Sequence, residues 1–328
     1  MLVLRFGSGD LANVRFAISP LVELHRSVRA LDDPGAQAIH LPWIAATRAS
    51  MRDVDLDLLQ GLQPRRIYSP DFIHPPPRSP LTELEDELAE MLATSADEVR
   101  AEVEFIYDRV GKPEILRPFL DEPDAAIARL ADVIRDYWQQ ALAPHWERLR
   151  GLLRGDVLYR GRRLADGGAR FLFADLHPEA RFEEDELRIE KSWQATRTLD
   201  GRGLLLVPSA FTWPVISAIT EPPWQPTLIY PARGVGLLWE PGEAAAPESL
   251  RALLGRRRAA VLAALDAPRP TAELAQWLGL SAPSVSQHLS VLKAAGLVQG
   301  SRVGRLVLYA RTSRGDGLVG AALDGVNV

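Results

Sequence analysis

The sequence predicts an α+β chain: a mostly helical N-terminal region with a small antiparallel sheet, followed by a C-terminal module of short helices closed by a β hairpin. Three observations carry this. Helical apolar spacing dominates up to about residue 153 and short alternating runs follow it, an order that argues for segregated helices and strands rather than a parallel βαβ wind. The stretch Glu240–Ser249, EPGEAAAPES, has the composition of a linker and divides the chain into domains 1–246 and 247–328. Charge divides as well. The 328 residues carry −5, yet Arg251–Arg314 holds ten basic residues against two acidic ones, a net +8, which leaves −13 on the rest.

Taken in order, Leu2–Phe6 reads as a strand and Asp10–Ala17 as a helical piece. Ser19-Pro20 supplies an N-cap and a proline at the first helical position, opening a helix with Val22, Leu24, Val28 and Leu31 apolar. Ala36–Leu59 reads as a third helix. Pro64, Pro70, Pro75, Pro76, Pro77 and Pro80 then exclude regular helix or central strand and give an ordered or semi-rigid connector. Thr82–Asp108 and Asp121–Leu153 read as long helices, the second with Ile127, Leu130, Ile134, Trp138 and Leu142 on one stripe. Beyond Gly155 the strand candidates are Val157–Tyr159, Phe171–Ala174, Leu187–Lys191, Leu204–Val207, Thr227–Tyr230 and Gly236–Trp239.

Composition narrows the chemistry. The chain has no cysteine, which excludes disulfides, zinc fingers, thiolate metal sensing and cysteine nucleophiles. The N-terminus lacks a signal-peptide pattern, and no apolar run approaches the ~20 residues that span a bilayer, so a cytoplasmic protein without membrane contact is expected. There is no G-x-S-x-G, P-loop or H-E-x-x-H, and Gly201/Gly203 and Gly234/Gly236 lack the third glycine of a dinucleotide loop. His177 with Glu179, Glu183, Glu184 and Asp185 reads as a solvated acidic loop rather than an oxygen-rich metal site. No catalytic residue, metal or cofactor is expected. Trp138, Trp146, Trp193, Trp213, Trp224 and Trp239 suit an apolar ligand pocket and a packed core equally well.

The C-terminal signals agree with one another. Arg256–Leu265 is helical. Thr271 caps a second helix, TAELAQWLG, ending at Gly279, and Ser281 caps a third with Pro283 in its first turn. Two short helices across a tight turn make a helix-turn-helix pattern. The third helix ends at Ala294-Ala295-Gly296, with Gly296 suited to a left-handed C-cap. Leu297–Val303 and Arg305–Arg311 then flank Gly304 as a hairpin. At ~100° per residue, Val285, Leu289 and Leu292 define the core face of the third helix. Gln287 lies opposite, flanked by Ser284 and Ser286 with Ser290 a turn on, while His288 sits beside the core stripe as a scaffold residue. Gln and Ser can reach base edges in the major groove, and arginines suit phosphates or the minor groove. The candidate DNA contacts are therefore Thr271, Ser281, Ser284, Ser286, Gln287, Ser290, Arg302 and Arg305.

The run T-A-E-L-A-x-x-L-G-L-S-x-x-S-V-S-x-H-L-x-x-L-x-x-A-G-L-V, followed by R-x-G-R-x-x-x-Y at Arg302, Gly304, Arg305 and Tyr309, resembles the ArsR-type winged helix-turn-helix transcription regulators. That resemblance implies a recognition helix at Ser281–Ala295, a wing at 297–311, a homodimer and double-stranded operator DNA as partner. It covers roughly a fifth of the chain. The cysteine pair of metal-sensing members is absent. The N-terminal part is similar to an actinobacterial subgroup with a large domain before the DNA-binding module, through L-R-F, D-L-A-x-V-R-F-A-x-S-P-L-x-E-L (Asp10–Leu24), Pro42-Trp43 and R-T-x-x-G-D-x-L (Arg311–Leu318). The reading is thus a dimeric repressor, with room for an unidentified small-molecule effector in the N-terminal domain. The alternative is an enzyme or protein-interaction domain whose winged helix serves protein contacts.

Overall fold

The computed structural model describes residues 1–64, 68–239, 248–265, 268–278, 280–303 and 306–324. The chain forms two compact units, Met1–Arg233 and Gly234–Val328. The expected boundary at 246/247 lies outside the described residues.

In the N-terminal unit β1 (Leu2–Arg5) alternates buried Leu2 and Leu4 with exposed Arg5. Asp10–Ala17 is not a helical piece. It holds one 3-10 turn, Leu11–Asn13, and a short strand, β2 (Arg15–Phe16). The cause is the Asp10 carboxylate, which accepts from the Gly7 and Gly203 N–H groups and so ties this loop to a turn far along the chain. The Ser19-Pro20 start is as read: α1 (Pro20–Asp32) is capped by Ser19, whose side chain accepts from Val22 N–H. Yet α1 is buried nearly all round, polar residues included.

The expected helix 36–59 is two helices, α2 (Leu41–Ser50) and α3 (Leu56–Gly61). Pro42 fits only the first turn of α2, and Asp55 caps α3 by accepting from Leu58 N–H. The proline-rich stretch is irregular but belongs to the core, with 70–77 buried. Thr82–Asp108 is likewise divided into α4 (Leu84–Leu92) and α5 (Ala96–Tyr107), because Ser95 and Glu98 close a capping box. The next helical pattern becomes α6 (Arg117–Asp121), α7 (Pro123–Tyr137), a π turn at Trp138–Leu142 and α8 (Trp146–Phe173), which kinks at Gly167-Gly168.

Two strand expectations, Val157–Tyr159 and Phe171–Ala174, are corrected by α8, which covers the first and runs to Phe173 in the second. A three-residue apolar run carries no period. Here the buried pair Arg160–Asp156, at i,i+4 and 3.3 Å, goes with helix. The strands that do form are β3 (Ala180–Glu183), β4 (Glu186–Ile189), β5 (Ala195–Thr198), β6 (Leu205–Ser209), β7 (Ser217–Ile219) and β8 (Thr227–Pro231).

Two four-stranded sheets result, ordered β3-β4-β1-β5 and β2-β6-β8-β7. The α+β class stands, but the sheets are mixed rather than purely antiparallel: β1 is parallel to β5, and β6 is parallel to both β2 and β8. Leu2, Leu4, Leu187, Leu206, Leu228 and Tyr230 share one core with Phe173 from the end of α8. Leu205, Val207 and Ile229 point the other way, onto Val22 of α1. Both faces of the β6–β8 pair are therefore covered, which accounts for continuous apolar runs in place of alternation.

The C-terminal unit begins with a 3-10 turn at Val235–Leu237, where a strand was expected; Gly234 enters it at φ +79°. Then come α9 (Glu248–Leu254), α10 (Arg256–Ala263), a short β9 (Arg269–Pro270), α11 (Thr271–Trp277), α12 (Ala282–Ala294), the hairpin β10 (Val298–Val303) and β11 (Leu306–Arg311), and α13 (Ser313–Asp324). Leu262, Leu274, Val285, Leu289 and Leu292 form its core. Among the described residues no helix is long and apolar enough to cross a membrane.

Candidate nucleic-acid interface

Local signals set both ends of α12. Ser281 is its N-cap, with Oγ accepting from Ser284 N–H at 3.4 Å, and Pro283 occupies the first turn. At the far end Gly296 takes φ +69°. Its N–H donates to Lys293 O, and that of Leu297 donates to Leu292 O. This is a Schellman motif, and it turns the chain into β10. Between the caps Val285, Leu289 and Leu292 are buried, the face that helical geometry assigns to the core.

Ser286, Gln287 and Ser290 are exposed together on the opposite side. The Ser290 hydroxyl donates to Ser286 O at 3.0 Å, back into its own helix. Gln287 therefore presents a primary amide, donor and acceptor side by side, in a setting of small hydroxyls. Ser284 is half-buried and lies 3.4 Å from His288 Nε2, so it belongs as much to the scaffold as to the surface. His288, also half-buried, is held below the ordinary imidazole range by burial first and then by the charges of Arg257 and Arg258.

Thr271 opens α11 directly after β9 and is half-buried. Arg302 is exposed on β10, opposite Val307 of β11. Arg305 and Gly304 lie outside the described residues. The hairpin itself matches the expectation to within a residue at each end. The third strand, β9, pairs with β11 through Pro270↔Leu308 and Arg269↔Tyr309; two residues with a proline gave no strand signal.

Sequence reasoning placed Arg256–Arg258 at the start of a helix, where α10 begins, but did not count them among the DNA contacts. In the structure Arg257 and Arg258 are exposed at the start of α10 and close enough to α12 to act on His288. The signal was the run of three arginines, overlooked because it precedes the helix-turn-helix. Conversely, some basic residues of the +8 segment are structural. Arg269 is buried, donates to Ala264 O and pairs with Glu273 at 2.7 Å. Arg311 pairs with Asp316 at 2.8 Å. The exposed residues of this unit include the Gln287 amide, serine hydroxyls, and cations at Arg257, Arg258, Lys293 and Arg302. Amide and hydroxyl groups suit base edges; the cations suit phosphates.

No comparable chemistry gathers at the acidic loop. His177 donates from Nε2 to Pro214 O at 3.0 Å and accepts at Nδ1 from Glu179 N–H. Among the described residues no three histidines or acids are arranged to hold a metal.

Residues 256–300 match the family model of a helix-turn-helix domain, and residues 110–236 match a family of unknown function, DUF5937. Over 66 residues the chain is 50% identical to the HTH-type transcriptional repressor SmtB of Mycobacterium tuberculosis, in strains CDC 1551 / Oshkosh and ATCC 25618 / H37Rv. That stretch is 20% of this chain and 49% of the relative, so the chain spans about half the length of the curated relatives it matches. No solved structure matches the chain. Buried stripe, capped helix, hairpin and these likenesses converge: the C-terminal unit contains a helix-turn-helix domain of the ArsR/SmtB type, preceded by a domain similar to DUF5937.

Proposed function

We propose that the chain is a DNA-binding transcription regulator, a dimeric repressor that docks α12 in the major groove of an operator and lays the β10–β11 wing against the backbone. The observation that carries this reading is the exposed Ser286–Gln287–Ser290 face of a helix whose other side is buried. The likeness to a protein named a transcriptional repressor supports it. In this reading Gln287 and Ser286 read base edges, and Arg257, Arg258, Lys293, Arg302 and Arg305 neutralise phosphates. Ser281 and Thr271 hold the N-terminal ends of the two helices near the backbone. The N-terminal unit supplies the response to a small molecule.

Footprinting of the purified chain on DNA taken from just upstream of its own gene tests the reading. A dimer should protect two half-sites about one helical turn, ~34–36 Å, apart. Uniform, unphased protection would mean that the helix does not read sequence.

A further inference from the structure

Polar side chains inside the N-terminal unit mostly find partners. On the buried helix α1, Ser27 Oγ meets the Tyr137 hydroxyl at 2.8 Å, His25 Nδ1 accepts from Gln63 Nε2 at 3.0 Å, and Glu23 accepts from Ala210 N–H. Arg26 is different. The residue is only 8% exposed, and its Nε has no hydrogen-bond partner among the described residues. It lines a cleft of about 690 Å³ whose walls also hold Arg29, Lys191 and His74. His74 is buried as well, with Nδ1 unpartnered among the described residues.

The charges on these walls repel one another. Burial pushes Arg26 down to about 9, and Arg29 lowers it further, against a raising influence from Glu23. Lys191 is lowered by burial and by Arg26, with Glu179 acting the other way, and Arg29 is lowered by burial with Asp32 opposing. A buried guanidinium that lies close to another cation is costly to keep, and a cleft concentrates the field of one sign of charge. Phe105, Trp193 and Ile216 provide apolar wall in the same cleft. Its volume falls within the range of small-molecule sites, roughly 300–1,000 Å³.

We propose that this cleft binds a small organic carboxylate with an apolar body, the carboxylate pairing with Arg26 between Arg29 and Lys191 and the body lying along Phe105, Trp193 and Ile216. The planar guanidinium fork matches a carboxylate. A single negative charge is favoured over a phosphate dianion because Asp71 stands in the same wall. The proposal deepens the effector role given above to this unit. It needs only Met1–Arg233, and its test uses no DNA, so it fails separately from the DNA-binding reading.

The test is thermal unfolding and tryptophan-fluorescence titration of the full chain with decanoate and indole-3-butyrate, each beside its neutral amide. The carboxylates should raise the melting temperature and the amides should not. Arg26→Met should weaken carboxylate binding by tenfold or more while the ligand-free protein still unfolds cooperatively, since it removes a buried cation that Arg29 repels. Should that variant fold poorly, Lys191→Met serves, with several-fold weaker carboxylate binding expected. Equal stabilisation by acids and amides, affinity unchanged in the variants, or no binding by either acid overturns the proposal.

Discussion

At the scale of single residues, Gln287 carries the specificity of the proposed interface and the arginines carry its strength. Gln287→Ala should cost on the order of 1–3 kcal/mol at the preferred site and relax the choice of base there, whereas Arg302→Ala should weaken all duplexes alike. Competition binding with single-base variants of the site separates the two outcomes. Fold and site residues differ in how far sequence discloses them. Ser19, Ser281 and Gly296 were legible because a cap depends on its own few neighbours. Arg257 and Arg258 were not, because their closeness to His288 comes from packing between helices. Buried acids are a further case. Glu87 accepts from Leu21 N–H at 2.7 Å, leaves Oε1 unpartnered among the described residues, and is pushed by burial up to about 8. A folded value above the ordinary glutamate value of 4.5 means that the native state holds the proton more tightly. The associated stability is complete below pH 4.5 and is lost as pH rises through about 8. Glu87→Gln should thus match wild type at low pH and gain on it upward, by as much as about 1.4 kcal/mol per pH unit. Urea unfolding across that range reads the difference; a gap independent of pH would mean that Glu87 is ionised throughout.

At the scale of elements, α12 depends on its two ends. Ser281→Ala removes the cap and should destabilise the C-terminal unit by about 1 kcal/mol. The motif R-T-x-x-G-D, which sequence reading could quote but not interpret, docks α13. Thr312 Oγ1 donates to Gly296 O and accepts from Gly315 N–H, and Arg311 pairs with Asp316. A Cβ at Gly315 would stand 2.2 Å from Leu297 O, too close for any side chain. Gly315→Ala should therefore cost on the order of 1–3 kcal/mol and expose the α13 docking surface, visible as lower protection from hydrogen exchange in the C-terminal unit. Helices with strong caps and periods were legible, and so was the hairpin. Val157–Tyr159 was misread because three apolar residues fit either period, and only the surroundings of Asp156 and Arg160 decide. β2 and β7 were missed because two or three residues give no pattern, and β3 and β5 because ARFE and ATRT carry no apolar run.

At the scale of the whole molecule, the α+β class was legible and the sheet order was not. β1 pairs with β4 and with β5, whose partners lie between 181 and 193 residues along the chain, and no local signal records such a partnership. Charge divides with the fold: the acidic balance belongs to residues outside Arg251–Arg314, and the basic excess lies in the unit Gly234–Val328. A chain with a pI near 5.8 can then bind a polyanion through one unit. The most direct measurement is anisotropy titration of the upstream duplex and of an unrelated duplex of equal length over a series of salt concentrations. Binding should weaken with a log–log slope near −0.9 per neutralised phosphate, and the upstream duplex should stay at least ~10³-fold tighter at physiological salt. A flat salt profile, or equal affinity for the two duplexes, would contradict operator recognition through α12.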